Sequence, residues 1–135
     1  MTALGRSVRR KEDQRLVTGH GRYVSDLQLP RMRHVAFLRS PLAHARIAVV
    51  DTAEAVAAGH RVFTGADFAH VALRAQSALP SYVETDQPVI AHDKVRYAGE
   101  PVAAVVAADR YRAEDGLELV DVEYEPLAPT VCAWA

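Results

Sequence analysis

The 135 residues carry 16 Lys and Arg against 17 Asp and Glu, a net charge of −1, and half of them are hydrophobic. This is ordinary globular usage, long enough for one domain with its own core, and the near-zero balance gives no electrostatic footing for nucleic acid or an anionic membrane. One cysteine, Cys132, excludes an internal disulfide and a four-thiolate metal site. No run approaches the ~20 apolar residues of a membrane span, and Arg9-Arg10 lacks the apolar run of an export signal. A reducing, cytoplasmic setting is expected.

Residues 1 to 15 are polar and read as an irregular, solvated arm, with Arg6, Arg9, Arg10, Lys11 and Arg15 interleaved with Glu12 and Asp13. Thr18 to Gly21 is a turn leading into Tyr23 and Val24, and Asp26 to Pro30 is a loop. His34 to Arg39 predicts a strand with Val35, Phe37 and Arg39 on one face, ended by Ser40-Pro41 because Pro41 has no N–H to donate. Ala45 to Val50 predicts another strand. Asp51 to Glu54 has capping-box spacing, so a helix starts there and ends at Gly59. A short strand over 61 to 63 and a turn over 64 to 67 follow, with a helical turn starting at Phe68. Residues 72 to 87 have no period and contain Pro80, which reads as a long loop of the kind that serves function or partner contact.

The most structured stretch runs from Asp93 to Leu127. Lys94 to Tyr97 alternates as a half-buried strand, Gly99-Glu100-Pro101 breaks it, and Val102 to Ala107 is an apolar run suited to a strand covered on both faces. Asp109 caps a helix. Leu119 to Tyr124 returns as a strand with Val120, Val122 and Tyr124 on one side. Strand, helix and strand predict a right-handed parallel βαβ unit near the C-terminus, within a mixed sheet. The tail, with Val131 and Trp134, is apolar and predicts that something covers it.

The residues display no catalytic constellation. The six histidines, His20, His34, His44, His60, His70 and His92, form no ligand-spaced pair. Asp121, Glu123 and Glu125 sit about 7 Å apart along one strand face, which reads as a solvated face, since burying three like charges is too costly. Gly19-His20-Gly21 lacks the third glycine and the flanking elements of a dinucleotide loop.

Several ordered motifs carry a resemblance. Arg10 to Asp13, Leu16 to Gly19, Gly21, Tyr23 and Asp26 come first; Leu38 to Pro41 with Ala43 to Ile47, and Thr64 to Asp67, come next. Lys94 to Ala103, KVRYAGEPVA, and Val122 to Leu127, VEYEPL, close the set. Together they resemble the N-terminal region of the large, molybdopterin-binding subunit of the xanthine dehydrogenase, aldehyde oxidase and carbon monoxide dehydrogenase family. The resemblance implies an α+β fold, the a/b hammerhead, as a single domain over residues 1 to 135. Two positions depart from the family pattern: Ala58-Gly59-His60 stands where Pro-Gly-Val is usual, and Gly116 stands where an alanine is usual, at up to ~1 kcal/mol in helix propensity.

In that family the glycine-rich cofactor loops and the glutamate base lie in later segments. The resemblance therefore carries no catalytic, cofactor-binding or metal-ligating residue onto this chain. It implies a structural, subunit-contacting part of an oxidoreductase whose molybdenum-molybdopterin is held by molybdenum-binding domains or a subunit, with 2Fe-2S and FAD on partner domains or subunits. The alternatives are a stand-alone binding module, a truncated remnant without activity, and a small hydrolase or isomerase using Glu123 or His44.

Overall fold

The computed structural model describes residues 5, 7–71, 73–74 and 77–132. The chain divides into two compact units, Met1–Met32 and Arg33–Ala135. In the first, α1 spans Asp13–Val17, so a helical turn begins inside the segment expected to be irregular. Arg15 answers Glu12 at 3.2 Å across one turn of exposed surface. Thr18 ends the helix by donating its hydroxyl to the Gln14 carbonyl at 2.7 Å. A 3₁₀ turn over Val24–Asp26 is closed by the Asp26 carboxylate, which accepts from the Tyr23 N–H at 2.9 Å.

The second unit is α+β. Its elements are β1 (His34–Arg39), β2 (Ala45–Asp51), α2 (Ala53–Ala57), β3 (Arg61–Thr64), a 3₁₀ turn (Gly65–Phe68), β4 (Leu73–Arg74), β5 (Asp86–Gln87), β6 (Lys94–Val95), β7 (Pro101–Ala107), α3 (Arg110–Leu117) and β8 (Asp121–Pro126). One sheet has the order β1-β7-β3, a second β6-β2-β8, and β4 pairs with β5. No helix among the described residues is long and apolar enough to cross a membrane.

The predicted parallel βαβ unit does not form, and no mixed sheet is built from it: every registered strand pair among the described residues is antiparallel. Both edges of β7 are already taken, by β1 and by β3. After α3, the chain therefore crosses to the other sheet, where β8 pairs with β2. The strand expected over Lys94 to Tyr97 shortens to two residues, because Arg96 turns into the following loop and Tyr97 is exposed. The long loop expected over 72 to 87 is pinned at its base by the β4–β5 ladder and by an Arg74–Asp86 ion pair at 2.8 Å.

Two apolar clusters form the core. Ala45, Ala91, Val95 and Val102 make one; Ala55, Ala103, Val105 and Val120 make the other, and Val50 and Val122 pack against both. Consecutive residues of β7 thus serve opposite clusters, as strand alternation requires, and the strand is covered on both sides over Val102 to Val105, as its unbroken apolar run predicts. α3 lies on β1 and β7. Its first turn is capped as expected, the Asp109 carboxylate accepting from the Arg112 N–H at 2.9 Å. At α2 the expected box is absent: Thr52 is the N-cap and gives no side-chain bond, while Asp51 ends β2 and accepts from the Ala53 N–H at 2.9 Å.

The two departures from the family pattern meet in space. A Cβ at Gly116 would stand 2.8 Å from Val105 Cγ1 and 2.9 Å from the His60 ring. The His60 ring and the bare backbone of Gly116 are thus a large-for-small exchange that closes the α3–β7 contact. Gly116→Ala should therefore destabilise the fold by about 1–3 kcal/mol through overpacking, outweighing the ~1 kcal/mol of helix propensity it gains. Thermal unfolding checks this: Tm falls by about 4 °C or more, and adding His60→Val recovers part of the loss. A rise in Tm for Gly116→Ala alone would contradict it.

Candidate functional site

The site is the corner where β1 stops and β7 starts. A register shift between Leu38 and Arg39 ends the β1 ladder beside Pro101. Two backbone bonds then tie the loops together: the Gly99 N–H donates to the Ser40 carbonyl at 2.8 Å, and the Ser40 N–H donates to the Glu100 carbonyl at 3.0 Å. Gly99 holds a φ of 90°, a left-handed conformation that glycine adopts without a Cβ penalty.

Ser40 is buried, and its hydroxyl accepts from the Leu42 N–H at 3.1 Å. Burial raises the Tyr124 phenol above its ordinary 10.0, against a hydrogen bond to Ser40 that lowers it. The Arg39 guanidinium donates to the Gly99 carbonyl at 2.8 Å and lies 5.7 Å over the Phe37 ring. Arg39 is thus held by a main-chain oxygen and an aromatic face.

Glu100 is the buried charge of the corner, with 4% of its surface exposed. Its carboxylate accepts from the Arg96 backbone N–H and from the Arg96 guanidinium, the latter at 3.3 Å. Arg96 also donates to Asp93 at 3.1 Å and to the Lys94 carbonyl at 3.0 Å. Burial works to raise the Asp93 carboxyl, but the Lys94 N–H and the Arg96 charge outweigh it and hold the group below its ordinary 3.8. Sequence reading missed this chain of charges. Its signal was Glu100 standing four residues after Arg96 within a turn.

An open cleft of about 420 Å³ adjoins the corner, with His44, Lys94, Arg96 and Tyr97 among its lining. The amides of Arg96, Gly99 and Glu100 are already bonded, to the Glu100 carboxylate, the Ser40 carbonyl and the Tyr97 carbonyl. Those three amides are therefore not available to cradle a phosphate. Across the second unit, another hollow of about 570 Å³ has Arg33, His60, Arg61, Arg112 and Asp115 among its lining. No hydrogen bond joins those side chains to one another.

The residues singled out for stand-alone chemistry are not brought together. His44 places Nδ1 2.9 Å from the Ala128 carbonyl, and its own carbonyl accepts from the Leu127 N–H. Glu123 lies four residues before Leu127 on β8, about 13 Å along the strand. Asp121, Glu123 and Glu125 are exposed, and Glu125 faces Arg46 at 3.6 Å. Among the described residues no three His, Cys, Asp or Glu side chains converge as metal ligands. Cys132 is free and exposed, and Trp134, expected to be covered, lies outside the described residues.

Comparison with known proteins fits this geometry. A family profile described as "Aldehyde oxidase and xanthine dehydrogenase, a/b hammerhead domain" matches residues 18–128. The chain is 41% identical over 128 residues to the nicotine 6-hydroxylase large subunit of Paenarthrobacter nicotinovorans, covering 92% of this chain and 16% of that one. It is 43% identical over 129 residues to the carbon monoxide dehydrogenase large chain of Afipia carboxidovorans, covering 94% and 16%. Quinoline 2-oxidoreductase from Pseudomonas putida 86 superposes with a TM-score of 0.86 at 46% identity, covering 94% of this chain and 17% of that one. The chain thus spans about a sixth of the length of these relatives.

What the corner can do is hold two sheets together around one buried carboxylate. Glu100→Gln should cost about 1–2 kcal/mol, less than the 3–5 of a fully buried pair, because the Arg96 side chain is 35% exposed. Urea unfolding measures it as a lower midpoint. An unchanged midpoint would show that the charge on Glu100 contributes nothing to the corner.

Proposed function

The chain belongs to the a/b hammerhead family of aldehyde oxidases and xanthine dehydrogenases, and we propose that it serves as the structural, subunit-contacting hammerhead part of a molybdenum hydroxylase large subunit. Residues 1–135 act in it as one domain; the family match crosses the division at Met32 in support of this. The molybdenum-molybdopterin and the catalytic groups are supplied from outside these residues, by molybdenum-binding domains or a subunit, with 2Fe-2S and FAD on partner domains or subunits. The enzyme so assembled is an oxidoreductase, and this part of it holds no catalytic, cofactor or metal residue.

The observation that carries the reading is the way Arg39, Arg96 and Glu100 of the motif-bearing corner are engaged. Arg39 holds a main-chain carbonyl, Glu100 holds Arg96, and Arg96 holds Asp93. A general base needs an oxygen or nitrogen free to reach a substrate proton, and Glu100 has both oxygens bonded. Such a corner fixes the shape of a surface and offers no proton transfer.

The test is native mass together with molybdenum content, measured on the polypeptide carrying this sequence after gentle recovery from its own cells. A molybdenum-containing assembly far larger than one chain is expected. A metal-free species of one chain's mass would overturn the proposal and leave a binding module that has kept the fold alone.

A further inference from the structure

One end of the β1-β7-β3 sheet gathers arginines. His34 faces Ala107 and Arg61 faces Val106 in the outermost pairs of the two ladders, so the register carried outward brings Arg33 and Gly59 level with Ala108. Adjacent strands lie about 4.8 Å apart, which sets the Arg33 and Gly59 segments on either side of Ala108. Arg112 reaches the same end from the first turn of α3, its guanidinium turned back to Asp109 at 3.5 Å. Arg33, Arg61 and Arg112 all line the hollow of about 570 Å³ that opens there, a volume in the range of small-ligand sites. Its floor is bare. A Cβ at Gly59 would meet nothing within 4 Å, and the φ of 86° there disfavours any larger residue. Ala107 and Ala108 line the hollow beside Gly59, with no side chain long enough to fill it.

We infer that this hollow binds a small multivalent oxyanion of the phosphate class. Among the described residues neither Arg33 nor Arg61 enters an ion pair, and Arg112 shares its charge only with Asp109, at the long distance of 3.5 Å and with its side chain 71% exposed. Arg61 rests 5.1 Å from the Phe63 ring, a contact to the flat of the guanidinium that leaves its N–H edge for a ligand. The carboxylates facing the three guanidinium groups are Asp109 and Asp115, so with both ionised and His60 neutral one positive charge is left over. The three forks arrive on separate segments, and each presents its donors in a plane. Together they offer more donors than the two oxygens of a carboxylate accept, whereas a tetrahedral phosphate takes forks on different edges. The inference stands apart from the proposed function: it concerns a ligand held by these residues, with no chemistry performed on it.

The experiment is equilibrium dialysis of radiolabelled pyrophosphate against the native polypeptide carrying this sequence, in whatever assembly it is recovered, at low ionic strength so that screening stays weak. Binding is compared between the unaltered chain, an Arg33→Gln/Arg112→Gln variant, an Ala108→Glu variant that keeps all three arginines, and an Arg110→Gln variant. Arg110 lies on the same helix but answers Glu114 at 2.9 Å and does not line the hollow. The double variant should lose a pyrophosphate site or weaken it about a hundredfold, about tenfold for each guanidinium removed. Ala108→Glu should abolish the same site, while Arg110→Gln binds as the unaltered chain does. All four positions are exposed, so native mass and far-UV circular dichroism should stay unchanged. The inference is overturned if binding is equal in all four proteins, if Ala108→Glu keeps the site, or if Arg110→Gln loses as much as the double variant. It is overturned equally if the double variant falls out of its assembly, which would make these arginines the counter-charges of a neighbouring polypeptide.

Discussion

The Ser40 backbone accepts from the Gly99 N–H and donates to the Glu100 carbonyl, and both sheets are anchored at that contact. β1 ends one residue before Ser40, and β7 begins two residues after Gly99. These are two strands of the first sheet. β2 begins at Ala45 and β6 ends at Val95, and both belong to the second. Four strand ends therefore leave from one pair of loops. A backbone donor buried without a partner costs as much as a lost hydrogen bond, so the pairing of Ser40 with Gly99 and Glu100 sets how the loops close. The left-handed φ of Gly99 is the local condition for it.

The buried charge follows from the same geometry. Once Glu100 is carried inward by the turn, its carboxylate needs donors, and Arg96 provides a main-chain and a side-chain one. Arg96 is in turn steadied by Asp93, whose carboxyl is held below its ordinary value by the Lys94 N–H and the Arg96 charge despite burial. The Glu100 and Arg96 charges of the corner are therefore held in place by each other and by the main chain. In a family whose members are large subunits several times this length, such a corner suits a rigid part that presents surfaces to the chemistry-bearing parts.

Much of this was legible in the sequence, for identifiable reasons. The apolar run from Val102 to Ala107 could only be a covered strand, and the alternation of Val35, Phe37 and Arg39 fixed a shared face. Asp109 announced α3. The errors came from non-local choices. A strand–helix–strand pattern is silent on whether the second strand rejoins the first sheet, and here β1 and β3 had occupied both edges of β7. Arg39 chose a carbonyl 60 residues away, which no local spacing encodes. Gly116 looked like a weak helix residue until His60 was seen against it. The motifs of the corner are each visible in the sequence, but its ion pairs are not, because Glu100 reads as exposed turn chemistry until the turn buries it.

The measurement that tests the central claim most directly is a cryo-EM map of the native molybdenum-containing assembly, with the metal located relative to this chain. The account predicts that all groups holding the molybdenum cofactor come from outside residues 1–135, with the Ser40–Gly99–Glu100 corner intact and its charges paired as described. A map placing the cofactor on Arg96, His44 or Glu100, or showing Glu100 released from Arg96 and facing substrate, would contradict it.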